Sequence, residues 1–253
     1  MGRMPAWVGT AAGPVAADVH DVIALDGPSG TGKSTVARAL ARRLGFRYLD
    51  TGAMYRAVTW AVLRDGIDPE NSDAVTELAR RTRIEVSTDP DSPHVSVDGR
   101  PVDQEIRSRA VTVAVSPVSA MPGVREVLVA AQQQLIRAGH VVAEGRDIGT
   151  VVAPAAPLKV FLTASVDTRA HRRSRQDRTT DHRSTAADLD RRDTYDSTRR
   201  HSPLRAADDA VPVDTTALSV AEVVQRLVDL ATERGIVGEP RCEGTAAEAP
   251  PRP

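Results

Sequence analysis

The chain has 253 residues, of which 41% are hydrophobic and 26% charged, and its formal net charge is −1. Those figures suit a soluble globular protein built as one large α/β domain, or as one domain carrying insertions. The near-zero net charge excludes a global field that would draw the chain to nucleic acid or to a membrane, so any local cluster of arginines carries information.

Residues 1–20 are rich in Ala, Gly and Pro, and Pro5, Gly9, Gly13 and Pro14 interrupt any signal-peptide core. A disordered N-terminal extension is expected there. The run Val22-Ile23-Ala24-Leu25 predicts a strand buried on both faces of a parallel sheet. A glycine-rich loop follows, and then Val36, Leu40 and Leu44 recur at helical spacing until Gly45. Tyr48-Leu49-Asp50 predicts a second short strand, with helices over 53–64 and 74–80. Between 84 and 106 the pattern changes. Segments 84–87 and 95–98 alternate apolar and polar residues, Pro90 and Pro93 lie between them, and Asp98-Gly99 is a turn signal. This predicts a small antiparallel sheet inserted into the α/β frame.

Val124, Leu128, Ala131 and Leu135 predict a helix as far as Ala138, stopped by Gly139. Val141-Val142-Ala143 and residues 159–162 predict further buried strands. From 168 to 201 almost nothing is apolar, and ten arginines stand against six aspartates. Val211-Pro212-Val213 predicts a last strand near a sheet edge, because its proline cannot donate to a ladder. Val220, Val223, Val224, Leu227 and Leu230 predict an amphipathic terminal helix. Residues 238–253 have the composition of a disordered tail, so the expected folded domain is 21–237. A single cysteine, Cys242, leaves no internal disulfide, and no apolar run approaches the ~20 residues of a membrane span. The expected setting is the cytoplasm.

The loop Gly27-Pro28-Ser29-Gly30-Thr31-Gly32-Lys33-Ser34 satisfies G-x-x-x-x-G-K-[ST], and Thr35 extends it. Its glycines let backbone N–H groups turn inward around phosphate oxygens, and the following helix presents its N-terminus to them. Lys33 supplies a charge for the β- and γ-phosphates of ATP, and the Ser34 hydroxyl a ligand for Mg²⁺. Such a pattern arises by chance in roughly 1% of chains this long. The strand before it and the helix behind it are the context it requires, which disfavours a merely flexible turn. Of 33 Lys and Arg residues only Lys33 and Lys159 are lysines. A chain that otherwise chooses arginine keeps lysine where a compact point charge fits and a guanidinium does not.

The loop does not name the phosphate acceptor. A GTPase-like switch needs a guanine-reading N-K-x-D segment, and neither lysine sits in one. A motor or transporter ATPase needs a hydrophobic strand ending in a carboxylate; Val141-Val142-Ala143-Glu144 is a partial candidate, in a chain short for that class. A small-molecule kinase remains. The six histidines show no metal-ligand spacing.

Three segments resemble the bacterial cytidylate kinases: Gly27 to Thr35, Asp50-Thr-Gly-Ala-Met-Tyr-Arg56, and Glu144-Gly-Arg-Asp-Ile-Gly-Thr-Val151. Two more follow in the family's order, Val97-Asp-Gly-Arg-Pro-Val-Asp103 with Ile106-Arg107, and Val213-Asp-Thr-Thr-Ala-Leu218. Together they span about residues 20–235. The resemblance implies a P-loop fold, a five-stranded parallel sheet flanked by helices, with the insert at about 84–106 on the acceptor side and an Arg-rich lid at about 168–201. It implies transfer of phosphate from ATP, with Mg²⁺, to CMP or dCMP and less well to UMP. A monomer is the expected state. By the same resemblance Thr51 and Arg56 hold the acceptor nucleotide, and Ser116, Arg125 and Asp147 read the cytosine edge. Arg146 and Arg192 contact phosphate and join Lys33 as the catalytic set, and Asp196 and Arg199 lie around the sugar.

The chemistry agrees. Cytosine offers an exocyclic amine as donor and N3 and O2 as acceptors, which a carboxylate or hydroxyl and an arginine can serve. Uracil reverses that polarity and leaves buried groups mismatched. Arg192, Asp196 and Arg199, spaced by four and three, share one helical face. Plain structural readings compete at other positions: a helix-cap or turn role beside Pro117 explains Ser116 equally well, and Arg169, Arg172 and Arg173 suit a solvated, salt-bridged helix pair. The lid's centre, Thr179-Thr180-Asp181-His182, is polar and departs from the family's pattern.

Overall fold

The computed structural model describes residues 21–177, 182–200 and 202–237. The expected N-terminal extension, the C-terminal tail and the lid centre at 178–181 lie outside the described residues. In chain order the elements are β1 (Val22–Asp26), α1 (Lys33–Leu44), β2 (Arg47–Asp50), α2 (Thr51–Arg64), α3 (Ser72–Arg81), β3 (Ile84–Val86), β4 (Val95–Val97), β5 (Arg100–Pro101), α4 (Arg109–Ala120), α5 (Pro122–Ile136), β6 (Val141–Gly145), β7 (Leu158–Thr163), α6 (Val166–Asp177), α7 (His182–Thr198), β8 (Val211–Asp214) and α8 (Val220–Glu233).

β1 is buried along its whole length, as its unbroken apolar run requires. It is the centre of a five-stranded parallel sheet ordered β2-β6-β1-β7-β8, with Ile23 opposite both Val142 and Leu158. Alternate residues of β1 serve two cores. Val22 and Ala24 pack with Met54, Val58, Val124 and Leu128 of α2 and α5, while Ile23 and Leu25 pack with Val36, Leu40, Val223 and Leu227 of α1 and α8. β8 pairs only with β7, and Pro212 is exposed on that edge. β3, β4 and β5 form a separate three-stranded antiparallel sheet, one strand more than the alternation predicts.

The helix starts follow the capping residues. Asp50 accepts from the Ala53 N–H and Asn71 from the Ala74 N–H, so α2 and α3 begin at Thr51 and Ser72 rather than at 53 and 74. Ser219 and Glu222 close a reciprocal capping box on α8. α5 starts at Pro122 and ends at Ile136, earlier than Ala138. α4 has no counterpart among the predicted elements. Its β-branched run and internal Pro117 argue against a helix, but Pro117 frees only the carbonyl of Val113, a residue 71% exposed where water can serve it. Ser116 therefore stands inside a helix and not at a cap.

Among the described residues no single helix is long and apolar enough to cross a membrane. The chain leaves β1 toward β2 on one side, and leaves β6 toward β7 on the other side of β1. In open α/β sheets the crevice beyond the carboxyl ends of the strands at such a reversal is where ligands bind.

Candidate active site

The loop joining β1 to α1 lies at that reversal. Gly27 has φ +147°, and a Cβ there would come within 2.2 Å of the Leu162 carbonyl oxygen, so the first turn of the loop admits only glycine. Gly32 caps α1 in the left-handed conformation without any side-chain bond to the helix N–H groups, which leaves them for an anion. Lys33 is buried, and its Nζ donates to the Pro28 carbonyl at 2.7 Å. Burial, and then the neighbouring Arg146, push its ammonium down to about 7, against the attraction of Glu144, Asp26 and Asp193.

Two strands end in buried carboxylates. Asp26 closes β1 and accepts from the Ile148 and Gly149 N–H groups, both at 2.8 Å, which fixes the tight turn after β6. Burial raises it to about 6. Glu144, in β6, accepts from the Tyr48 hydroxyl at 2.5 Å. Burial and then Asp50 push it up to about 7, with Lys33, Tyr48 and the Ser34 hydroxyl opposing the rise.

Beyond β2 the first turns of α2 carry Thr51 and Arg56. Thr51 Oγ1 donates to the Glu144 carbonyl at 2.7 Å. Arg56 donates to the Ile106 carbonyl at 2.9 Å and to Thr112 Oγ1 at 3.1 Å, and burial, Arg192 and Arg173 lower it to about 9. Farther along, Arg125 of α5 and Asp147 form a buried ion pair, with the guanidinium 5.6 Å from the centre of the Tyr55 ring. Ser116 on α4 opens onto the same space.

The lid closes the third side. Arg146 spreads its fork over Asp196 Oδ2 (2.9 Å), the Gly27 carbonyl (3.0 Å) and Ser29 Oγ (2.7 Å). Arg192 is lowered to about 10 by burial and then by Arg146. Its Nε and Arg199 Nη2 are buried without a hydrogen-bond partner among the described residues. Arg199 Nε donates to the Ser202 carbonyl at 2.5 Å. Buried polar groups left open in this way suit a ligand that supplies acceptors. Arg172 is engaged structurally, holding the Thr31 carbonyl (3.2 Å) and the Thr215 carbonyl (2.7 Å).

These groups share one cleft of about 1220 Å³. Ser29 to Thr35, Thr51 and Arg56, Ser116 and Arg125, and Arg146, Asp147, Arg192, Asp196 and Arg199 all line it. Gly27 and Pro28 do not; their carbonyls anchor Arg146 and Lys33 from behind the loop. Asp50, Arg173 and Asp188 also line the cleft: the sequence offers Asp50 only within its matched segment, Arg173 only within the charge run and Glu144 only as a partial candidate, and does not mark Asp188. Asp50 heads the segment that ends at Arg56, which is a usable signal, whereas nothing local marks Asp188.

A phosphate loop at the central strand of this sheet, facing an arginine-lined second half-site beneath a two-helix lid, defines a P-loop phosphotransferase. Comparison narrows the class: a family model described as cytidylate kinase matches residues 23–233, and the chain belongs to that family. It is 53% identical over 223 residues to a cytidylate kinase of Rhodococcus opacus (strain B4), covering 86% of this chain and 97% of the relative. It is 52% identical over 228 residues to one from Mycobacterium avium (strain 104), covering 88% and 99%. A Streptomyces griseus cytidylate kinase is 48% identical over 211 residues, covering 83% and 91%.

Proposed function

We propose that this chain transfers the γ-phosphoryl group of ATP to CMP or dCMP, giving ADP and CDP or dCDP. The observation that carries the reading is the two-ended cleft: the phosphate loop with Lys33 at one end, and the buried Arg125–Asp147 pair with Ser116 at the other. Both half-sites come from one chain, which supports a monomer as the working unit.

Thr51 and Arg56 hold the acceptor phosphate, while Asp147 takes the cytosine amine and Arg125 serves the ring acceptors. Ser116 adds a hydroxyl at the same edge, and Asp196 and Arg199 flank the sugar. An α-phosphate oxygen of the acceptor attacks the γ-phosphorus. A bond forms there as the bond to the β-phosphate oxygen breaks, and ADP leaves with that electron pair. The attacking oxygen is already anionic, so no strong base is needed. Charge spreads over the transferring oxygens, and Lys33, Arg146 and Arg192 meet it with donors held in place before the reaction begins.

Mg²⁺ fits the corner where the Ser34 hydroxyl meets Glu144 and Asp50. The donors are hard oxygens, and a divalent cation there would offset the burial and the repulsion from Asp50 that together raise Glu144. When bound it neutralises charge on the β- and γ-phosphates. A coupled ADP-release assay over CMP, dCMP, UMP, AMP, GMP and shikimate tests the reaction. CMP should turn over far faster than AMP or GMP, and an equal rate on AMP would remove the base-reading assignment.

A further inference from the structure

The two lid helices meet the phosphate loop at one residue, Ser29. The Ser29 N–H donates to Asp193 Oδ1 at 3.3 Å, and the Ser29 carbonyl accepts from Arg169 Nη1 at 3.3 Å. Arg169 and Asp193 are themselves ion-paired through the other carboxylate oxygen. Arg169 comes from α6 and Asp193 from α7, so the two peptide groups flanking the Ser29 Cα are held by one lid helix each. Both side chains are largely withdrawn from solvent, at 8% and 16% exposed.

Neither residue lines the cleft. α6 lies directly on the loop, since a Cβ on Gly30 would come within 2.9 Å of the Arg169 Cβ. The neighbours of Asp193 on α7 do face the cleft: Arg192 one residue before it, and Asp196 three residues after. Asp196 in turn holds Arg146, which returns to Ser29 Oγ. Ser29 is thus bonded at its N–H, its carbonyl and its hydroxyl by Asp193, Arg169 and Arg146.

We propose that Asp193 is a positioning residue for phosphoryl transfer: paired with Arg169, it fastens the backbone of Ser29 to both lid helices, so that the shape of the phosphate loop and the entry of Arg192 and Arg146 into the cleft are set together. Asp193 touches no substrate. Its effect reaches ATP through the loop and through its attraction for Lys33, and the transition state through the two arginines, and it leaves the Arg125–Asp147 end untouched. The inference rests on the proposed ATP-to-CMP reaction.

The test uses the full chain with Asp193→Ala and Asp193→Asn. The measurements are kcat, the KM for ATP and CMP, and calorimetric binding of a non-hydrolysable ATP analogue and of CMP, each alone. Asp193→Ala should lower kcat at least 10-fold and weaken analogue binding at least 5-fold, with binding of CMP alone within twofold of the parent chain. Asp193→Asn keeps an acceptor for the Ser29 N–H but loses the negative charge that faces Arg169, and should fall between the two. Asp193→Ala within twofold of the parent in both kcat and analogue binding overturns the proposal. So does a loss of CMP binding equal to the loss of analogue binding, which marks general weakening of the fold. If the alanine variant does not fold, Asp193→Asn decides, and analogue binding within twofold of the parent overturns the idea. Should the parent chain fail to phosphorylate CMP, the proposed reaction falls, while the analogue comparison still decides the role of Asp193.

Discussion

Arg125 and Asp147 are paired with each side chain only 7% exposed, and both line the cleft at the end away from the phosphate loop's lysine, where the proposed function puts the acceptor's base. Removing one member of a buried pair leaves the other charge without compensation, at a cost of about 3–5 kcal/mol. Arg125→Ala should therefore lower unfolding stability by about 3 kcal/mol. In kinetics at a permissive temperature it should raise the KM for CMP at least tenfold and leave that for ATP within twofold. Denaturant titration and initial rates check the two halves separately, and an unchanged CMP KM counts against the base-reading role.

The ammonium of Lys33, pushed down to about 7 by burial and Arg146, is largely neutral in the free enzyme at pH 8. Triphosphate oxygens beside it favour the charged form, so ATP binding at pH 8 should take up close to one proton, and little at pH 6. Affinity for ATP should weaken as pH rises above about 7, where that proton must come from solvent. Calorimetry in buffers of different ionisation enthalpy measures the uptake. An identical apparent enthalpy in all buffers at pH 8 would sink this account, and Lys33→Ala should show neither uptake nor turnover.

The phosphate loop was legible in the sequence because its chemistry is local: the glycines, the lysine and the hydroxyl must follow one another. β1 was legible because a central parallel strand shows as an unbroken apolar run. α4 was not, since its valines and Pro117 argue for anything but a helix, and the outward face that tolerates the proline is a tertiary fact. The lid arginines illustrate the same limit. Arg169, Arg172 and Arg173 sit in a charge run that leaves a solvated face and a site role both open; in the structure Arg169 is buried against the loop and Arg173 lines the cleft. Tyr48 and Glu144 are 96 positions apart, and only the pairing of β2 with β6 brings them together.

Arg146 uses three nitrogens on three different partners, two on the loop and one on the lid. A lysine keeps the charge but cannot span that fork. Arg146→Lys should lower kcat on the order of 100-fold, the scale of losing a donor aimed at developing charge. It should change the melting temperature by only a few degrees, since one charge still faces Asp196. Rates and a thermal melt on the same preparation decide it; a kcat within threefold of the parent would mean the fork is dispensable.

Glu144 offers a test with a defined sign in pH. Its carboxyl is held near 7, against 4.5 for an ordinary glutamate, by burial and by Asp50. The folded chain therefore binds this proton more tightly than the unfolded chain does. The stability it contributes is full below about 4.5 and is lost as pH rises through about 7. Glu144→Gln carries the neutral form at every pH. Its amide oxygen can still accept from the Tyr48 hydroxyl, and its NH₂ replaces the carboxylate beside Ser34. Relative to this variant, the parent chain should be most stable at pH 5 and should lose ground by pH 8, by an amount on the order of 2 kcal/mol. Denaturant unfolding of both proteins at the two pH values measures the gap. Equal gaps at pH 5 and pH 8 would mean that Glu144 is ionised throughout and that its place between Lys33 and Asp50 leaves its proton affinity unchanged.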